Sequence, residues 1–257
     1  MTEVLISGCC GKMGRAVAAA IYEQNDMRIV GGVDKAGLGT GFSFPVFPSF
    51  SECELNADVV IDFTRPDNIP SLINYSNRTG AALVIATTGL SNEDLDMVYE
   101  HSKKHPVFMS TNMSLGVNLM IDLLKKAASF LGTDYEVEII EKHHNQKVDA
   151  PSGTALTMAE AISSAMNQSL KLTMGRHNNN CKRDHYELGI HAVRGGNIVG
   201  EHDVLFIGSE EIIEITHSAQ SRNVFAYGAV RAARFLSGKA PGLYSMPDML
   251  SDSEKNL

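Results

Sequence analysis

The stretch VLISGCCGKMGRAVAAAIYEQNDMRIVGGVD, Val4 to Asp34, decides the fold. Val4-Leu5-Ile6 is a short apolar run that reads as a buried strand. Gly8, Gly11 and Gly14 punctuate a turn, and Arg15 to Glu23 (RAVAAAIYE) reads as a helix. Met27 to Val33 is a second strand. A glycine turn between a strand and a helix is the context of a dinucleotide site. Glycines let the backbone turn tightly and let a pyrophosphate approach the amides at the helix N-terminus. The spacing is G-x-x-G-x-x-G rather than the usual G-x-G-x-x-G. Asp34, about twenty residues beyond the turn, stands where a carboxylate binds ribose hydroxyls.

The same alternation continues outward. Asp58 to Phe63 (DVVIDF), Ala82 to Ala86 (ALVIA) and Pro106 to Met109 are apolar, β-branched or aromatic runs bounded by turn residues. Ser91 opens a helix (SNEDLDMVYEHSKK), acidic in its first turn and basic in its last, as the macrodipole favours. Its His101 and His105 sit beside Lys103 and Lys104, and a wet basic face is expected there rather than a metal site. Beyond residue 114 the style changes. Leu115 to Leu131 reads as a long helix and Tyr135 to Lys142 as a strand with one wet face. Gly189 to Arg194, Asp203 to Gly208 and Ile212 to His217 are spaced like an antiparallel meander. Thr173 to Asp184, with Asn178-Asn179-Asn180, reads as a mobile polar loop. Arg222 to Leu236 is a final amphipathic helix closed near Gly238. The expected class is α/β. A Rossmann-like doubly wound parallel sheet (1–114 plus 221–257) carries an inserted second α+β domain (115–220) with an open mixed sheet.

The 257 residues are 44% hydrophobic and 20% charged, enough apolar content for proper cores. A net charge of -8 argues against a general nucleic-acid binder. No run is long and apolar enough to span a bilayer. The start, Met1 to Ile6, lacks a basic n-region, so a cytoplasmic protein is expected. The four cysteines form no C-x-x-C pair, in keeping with reduced thiols and no metal. The vicinal Cys9-Cys10 reads as two small soft residues in a turn that needs little bulk. Lys12, Arg15 and Lys35 lie near the turn or its acid and could neutralise a 2′-phosphate, so either NADH or NADPH fits.

The densest chemistry lies in Glu141-Lys142-His143-His144-Asn145-Gln146-Lys147-Val148-Asp149-Ala150-Pro151-Ser152-Gly153-Thr154-Ala155. It leaves a strand, crosses a polar loop and enters a helix whose N-cap is Ser152. The amides at that helix start form an anion site suited to a carboxylate. His143, His144 and Lys147 bring proton donors beside it. Adjacent histidines point apart and no further ligand has familiar spacing, which argues against zinc. No Gly-x-Ser-x-Gly elbow supports a Ser-His-Asp hydrolase.

Glu138 to Leu156 (EIIEKHHNQKVDAPSGTAL) resembles the signature of the dihydrodipicolinate reductase family of lysine biosynthesis. GCCGKMGR, VIDFTRP, ATTGL, TNMSLGVN, RGGNIVGEH, ITHSAQSR and GAVRAARFLSGKAPGLYSM resemble the family in order, nearly end to end. The resemblance implies an NAD(P)H-dependent reduction of 4-hydroxy-tetrahydrodipicolinate, a small cyclic dicarboxylate. It also implies a homotetramer paired through the second domain's sheets. His143 resembles the catalytic proton donor/acceptor, Lys147 the second proton donor, and His144 a substrate-contacting histidine. Gly153 and Thr154 resemble the carboxylate-binding pair. On the cofactor side Gly8, Cys9, Cys10, Gly11, Lys12 and Met13 match the pyrophosphate loop, and Asp34 and Lys35 the ribose end. Ala86, Thr87 and Thr88, with Ser110, Thr111, Asn112 and Met113, match loops lining the nicotinamide half. Ala86 stands where the family often has glycine, Met113 where phenylalanine is common, and Lys35 where arginine is frequent. Two other readings compete. One is a different two-domain oxidoreductase, acting on aspartate semialdehyde or homoserine, for which Cys181 is a poorly placed nucleophile. The other is a catalytically silent NAD(P)-binding sensor, which would have no use for His143, His144 and Lys147.

Overall fold

A computed structural model describes residues 1–37, 41–166, 168–177 and 179–255, with side chains described as far as residue 252. Two compact units emerge, Met1–Leu115 with Asn223–Leu257, and Gly116–Arg222.

The first unit is built on seven parallel strands: β1 (Thr2–Ser7), β2 (Met27–Val33), β3 (Val46–Phe47), β4 (Val59–Asp62), β5 (Ala82–Ile85), β6 (Pro106–Met109) and β12 (Gly242–Tyr244). Their order is β12-β6-β5-β4-β1-β2-β3. Both faces are covered, which is why the strands read as continuous apolar runs. Val4, Ile6 and Ile61 face one cluster with α1 (Lys12–Tyr22) and α6 (Asn223–Leu236). Leu5, Val60 and Leu83 face the other with α2 (Ile69–Thr79) and α3 (Asn92–Ser102). Leu5, Ile6, Ile61 and Leu83 are fully buried, each contributing about 2 kcal/mol of transfer free energy. Ser91 caps α3, as its sequence predicts, and the structure adds a reciprocal capping box with Asp94. The last described element is α7 (Met246–Lys255).

His101 departs from expectation. It is buried, its Nε2 lies 2.9 Å from Ser76 Oγ, and its ring stacks on His105 at 4.5 Å. Helix α2 turns that face inward, and burial pushes the His101 imidazole down to about 4, helped by His105 and Lys104.

The second unit is a five-stranded mixed sheet in the order β11-β10-β7-β9-β8. Its strands are β7 (Glu136–His143), β8 (Lys171–Met174), β9 (Glu187–Arg194), β10 (Gly200–Ile207) and β11 (Ile212–Ala219). Helices α4 (Leu115–Leu131) and α5 (Gly153–Ala165) cover one face, with Leu124, Met158 and Ile162 against Val137, Ile139 and Phe206. The expected meander is corrected. Only β10 and β11 form a hairpin, whereas β9 lies parallel to β7 and is separated from β10 by it. The crossover through α5 returns the chain in the same direction as β7, and such a connection yields parallel neighbours. Thr173 and Met174, expected in the polar loop, instead close an edge strand, Lys171–Met174, while 175–177 and 179–184 form neither helix nor strand. Asn178, within that stretch, lies outside the described residues.

Candidate active site

In the first unit a cleft of about 370 Å³ opens where Ser7, Gly8, Asp34, Lys35, Thr64 and Asn68 come together. Gly8 and Thr64 follow β1 and β4, from which the sheet grows in opposite directions, and open α/β sheets bind ligands at such a switch point. The turn's glycines have distinct reasons. Gly8 has φ +79, and a Cβ there would stand 2.9 Å from the Thr64 methyl; a Cβ at Gly14 would stand 2.1 Å from Gly8 O. Gly11 is the N-cap of α1 and supplies no side-chain cap, so the first turn can serve a ligand instead. Asp34 Oδ2 accepts the Cys10 amide at 2.9 Å and its Oδ1 accepts the Ala36 amide at 2.9 Å. The carboxylate is thereby braced against the turn it is expected to serve.

Lys12 is exposed. Lys35 is also exposed, with Nζ 3.5 Å from Asp67. Arg15 donates to Cys10 O at 3.1 Å and lies over the Phe42 ring. Met13 is half-buried against the core, and Cys9 and Met113 point into it. What Cys9 and Met113 offer a ligand is backbone. Burial, then the charges of Cys10 and Asp34, push the Cys9 thiol up to about 12, which disfavours thiolate chemistry although the ligand atoms of Cys9, Cys10 and Asp34 lie within 4.8 Å of one another.

Ala86 and Thr87 are buried and Thr88 is exposed at the end of β5. Thr87 donates to the fully buried Asp62, which also accepts from Thr64 and Asn68. Ser110 Oγ bonds Asn112 O at 2.8 Å, and Asn112 Oδ1 accepts the Ser114 amide at 2.9 Å; Thr111 is exposed. These loops are folded locally by their own hydroxyls and amides.

In the second unit the chemistry gathers where β7 ends. Along β7 alternate residues share a face, so Val137, Ile139, Glu141 and His143 all point toward the helices. Glu141 is fully buried. Its Oε2 lies 2.6 Å from His143 Nδ1, its Oε1 accepts the Ser152 amide at 2.9 Å, and both oxygens accept from Arg194 at 2.7 Å. Burial alone would raise this carboxyl. The bonds from Arg194, His143 and Ser152 outweigh it and hold Glu141 below the ordinary carboxylate range. Burial pushes the His143 imidazole down. Glu141 opposes that shift, Lys147 and Arg194 reinforce it, and the net displacement is downward.

Ser152 caps α5 by accepting the Ala155 amide at 3.2 Å, as expected, and its hydroxyl lies 3.2 Å from His202 Nε2. A Cβ built at Gly153 meets nothing within 4 Å, so the helix start is open; Thr154, half-buried, follows it. Lys147 Nζ pairs with Asp149 at 2.9 Å, and His144 Nε2 lies 3.1 Å from an Arg222 guanidinium nitrogen.

Arg194 and His202 complete this cluster and were given no role by sequence reasoning. The signal was in the register. Arg194 is the β9 partner of His143 and His202 the β10 partner of Glu141. The His202 ring meets His143 edge-on with centroids 5.3 Å apart, and burial, then His143, push it down to about 4.

Comparison with known proteins finds relatives along nearly the whole chain. The family description "Dihydrodipicolinate reductase, N-terminus" matches residues 2–113, and "Dihydrodipicolinate reductase, C-terminus" matches residues 116–250. A 4-hydroxy-tetrahydrodipicolinate reductase of Clostridium novyi is 48% identical over 250 residues, 97% of this chain and 98% of the relative. One of Caldanaerobacter subterraneus is 50% identical over the same shares. Among solved structures, a dipicolinate-bound dihydrodipicolinate reductase from Paenisporosarcina shares the fold, with a TM-score of 0.81 and 24% identity over 95% of this chain and 97% of that one. The chain belongs to the dihydrodipicolinate reductase family.

Proposed function

We propose that the chain catalyses the NAD(P)H-dependent reduction of 4-hydroxy-2,3,4,5-tetrahydrodipicolinate to tetrahydrodipicolinate with loss of water, a step of the diaminopimelate route to L-lysine. The observation that carries this reading is the cluster at the end of β7. A histidine with one nitrogen committed and a lysine adjoin the open, serine-capped start of a helix. Curated relatives at 41–50% identity carry that activity in their names.

NADH or NADPH, when bound, supplies the hydride. The turn of Gly8, Cys9, Cys10, Gly11, Lys12 and Met13 takes the pyrophosphate at the start of α1, and Asp34 the ribose. Lys35, with Lys12 and Arg15, accommodates a 2′-phosphate, so both cofactors are accepted. Ala86, Thr87 and Thr88, with Ser110, Thr111, Asn112 and Met113, shape the nicotinamide subsite. Gly153 and Thr154 bind one substrate carboxylate at the start of α5, and His144 holds the other end. His143 and Lys147 deliver the proton that the reduced ring requires.

The chain works as a cytoplasmic homotetramer paired through its second unit's sheets. Val193 and Ile212, exposed on the face of that sheet turned away from the helices, support such pairing.

Coupled NADH and NADPH oxidation assays on freshly generated substrate test the reading. His143→Ala and Lys147→Ala should each lower kcat by roughly 10²-fold or more. Near-normal turnover by Lys147→Ala contradicts its assignment, and oxidation independent of substrate contradicts the reaction.

A further inference from the structure

We infer that Glu141 is the positioning residue of this site: one buried carboxylate that orients the proton-donating histidine, seats the helix start that takes the substrate carboxylate, and closes the loop between them. The inference rests on the reading of His143 as a proton donor. Nothing in the chain's motif spacing assigns Glu141 a part.

The geometry supplies the argument. Glu141 is fully buried, and a carboxylate in that setting persists only when its oxygens are saturated with donors. Four donor bonds reach it, and together they fix three pieces of the site. The first comes from His143 Nδ1 at 2.6 Å. An ionised carboxylate only accepts, so Nδ1 carries the proton and Nε2 is the nitrogen left for proton transfer. The flank of Nε2 is kept clear by Gly200, where a Cβ would stand 3.1 Å away. The second comes from the Ser152 amide at 2.9 Å, so the carboxylate sets the N-cap of α5 directly. The remaining two come from Arg194, whose guanidinium also donates to Asp149 O at 2.6 Å. That bond anchors the far end of the loop carrying His144 and Lys147. A single anion thus couples donor orientation to the anion site, so loosening it degrades both together.

The electrostatic consequence is specific. His143 is faced by Glu141 on its own strand, Arg194 on β9 and His202 on β10, with Lys147 from the loop. His217 lies beyond, paired with His202 across β10 and β11. Glu141 is the anion bonded to His143 in this group, and it stabilises the imidazolium against burial and against the cations. If His143 must be protonated to act, activity falls as pH rises through its pKa. Removing the negative charge moves that limb to lower pH.

The test uses the full chain with NADH and substrate. Glu141→Gln should lower kcat by about 10²-fold and shift the alkaline limb of kcat downward by about one pH unit, an imidazole having lost its carboxylate partner. His143→Ala should abolish that limb. The double variant should have a kcat no lower than His143→Ala alone, because Glu141 acts on proton transfer through His143, while its KM rises as the helix start it seats is loosened. Turnover by Glu141→Gln within threefold of wild type, with the limb unmoved, overturns the inference while leaving His143 as donor. A His143→Ala enzyme of normal activity overturns the reading beneath it instead. Should Glu141→Gln fail to fold, nitrogen-15 NMR of histidine-labelled wild-type protein decides, with the His143 signals identified by their loss in His143→Ala. The expected form above its pKa is Nδ1–H with a bare Nε2, and the opposite tautomer overturns the inference.

Discussion

Glu138 and Glu141 stand on the same strand, face opposite sides of the sheet, and are each caged by arginine and histidine. Glu138 accepts from Arg176, from Arg183 at 3.1 Å and from His191 at 2.8 Å. Its side chain keeps 15% exposure, against none for Glu141. Burial would raise both carboxyls, and the donors around each outweigh it and lower them. What differs is the use of the cage. Around Glu138 both arginines return to the protein: Arg176 also holds Glu187, and Arg183 also bonds Glu187 O at 2.7 Å. The result is a clasp that ties the segment following β8 to the sheet. Around Glu141 one donor, His143, has a second nitrogen pointing elsewhere. The same chemistry closes a clasp on one face and, on the other, holds a histidine beside the serine-capped start of α5.

Removing an arginine from each cage should separate them most sharply. Arg194→Ala leaves a fully buried carboxylate without its bidentate partner and should cost roughly 3–5 kcal/mol. Arg176→Ala leaves Arg183 and His191 on a partly exposed carboxylate and should cost about 1 kcal/mol. Urea unfolding reads both, and equal losses would dissolve the distinction.

Acid should act next in size. Both glutamates have lowered folded pKa values, so their contribution is present above the unfolded value near 4.5 and is lost as pH falls below it. His202 reaches further. Its folded pKa is about 4 against an ordinary 6.5, so between those values the unfolded chain binds a proton that the folded chain refuses. Stability therefore declines as pH falls from 6.5 toward 4, by about 3 kcal/mol from this histidine. A His202→Gln variant should make that part of a Tm-against-pH curve shallower, the remaining slope coming from His101, whose folded value is likewise about 4. An unchanged slope would remove His202 from the account.

The smallest effect is expected at Glu138 itself. Glu138→Gln should leave kcat within about twofold, since no donor on that face adjoins the site. Trypsin should cut after Arg183 several-fold faster once its clasp is weakened. A large loss of turnover with unchanged cleavage would mean that the outer cage also serves the reaction.

Much of this was readable from sequence wherever the controlling contacts are local. Ser91 and Ser152 cap their helices through amides three residues ahead, and the glycine turn is shaped by its own backbone. Helix α2 was not readable. It has a proline in its first turn and polar Asn and Ser along its length, and only Ile69, Leu72, Tyr75 and Ser76 turn inward. Strand neighbours were misjudged because β9 is paired with β7 by a crossover, and no local pattern records that. In the site, Glu141 and His143 are two apart on a strand, so their shared face could be inferred. Arg194 lies 53 residues beyond Glu141, and only the sheet register brings it there.

The glycine turn has a consequence for how this sequence can vary through descent. Gly8 and Gly14 are closed to drift, the first by its left-handed backbone and the second by contact with the first one's carbonyl. Position 9 admits only a side chain compact enough to lie against Gly32, where a Cβ would already stand 2.6 Å from Cys9 Sγ. Position 10 is half-exposed and offers its amide, not its side chain, to Asp34. Of the paired thiols, then, one is held by want of room, while the other lies at the edge of the same cluster with space beside it on the solvent side.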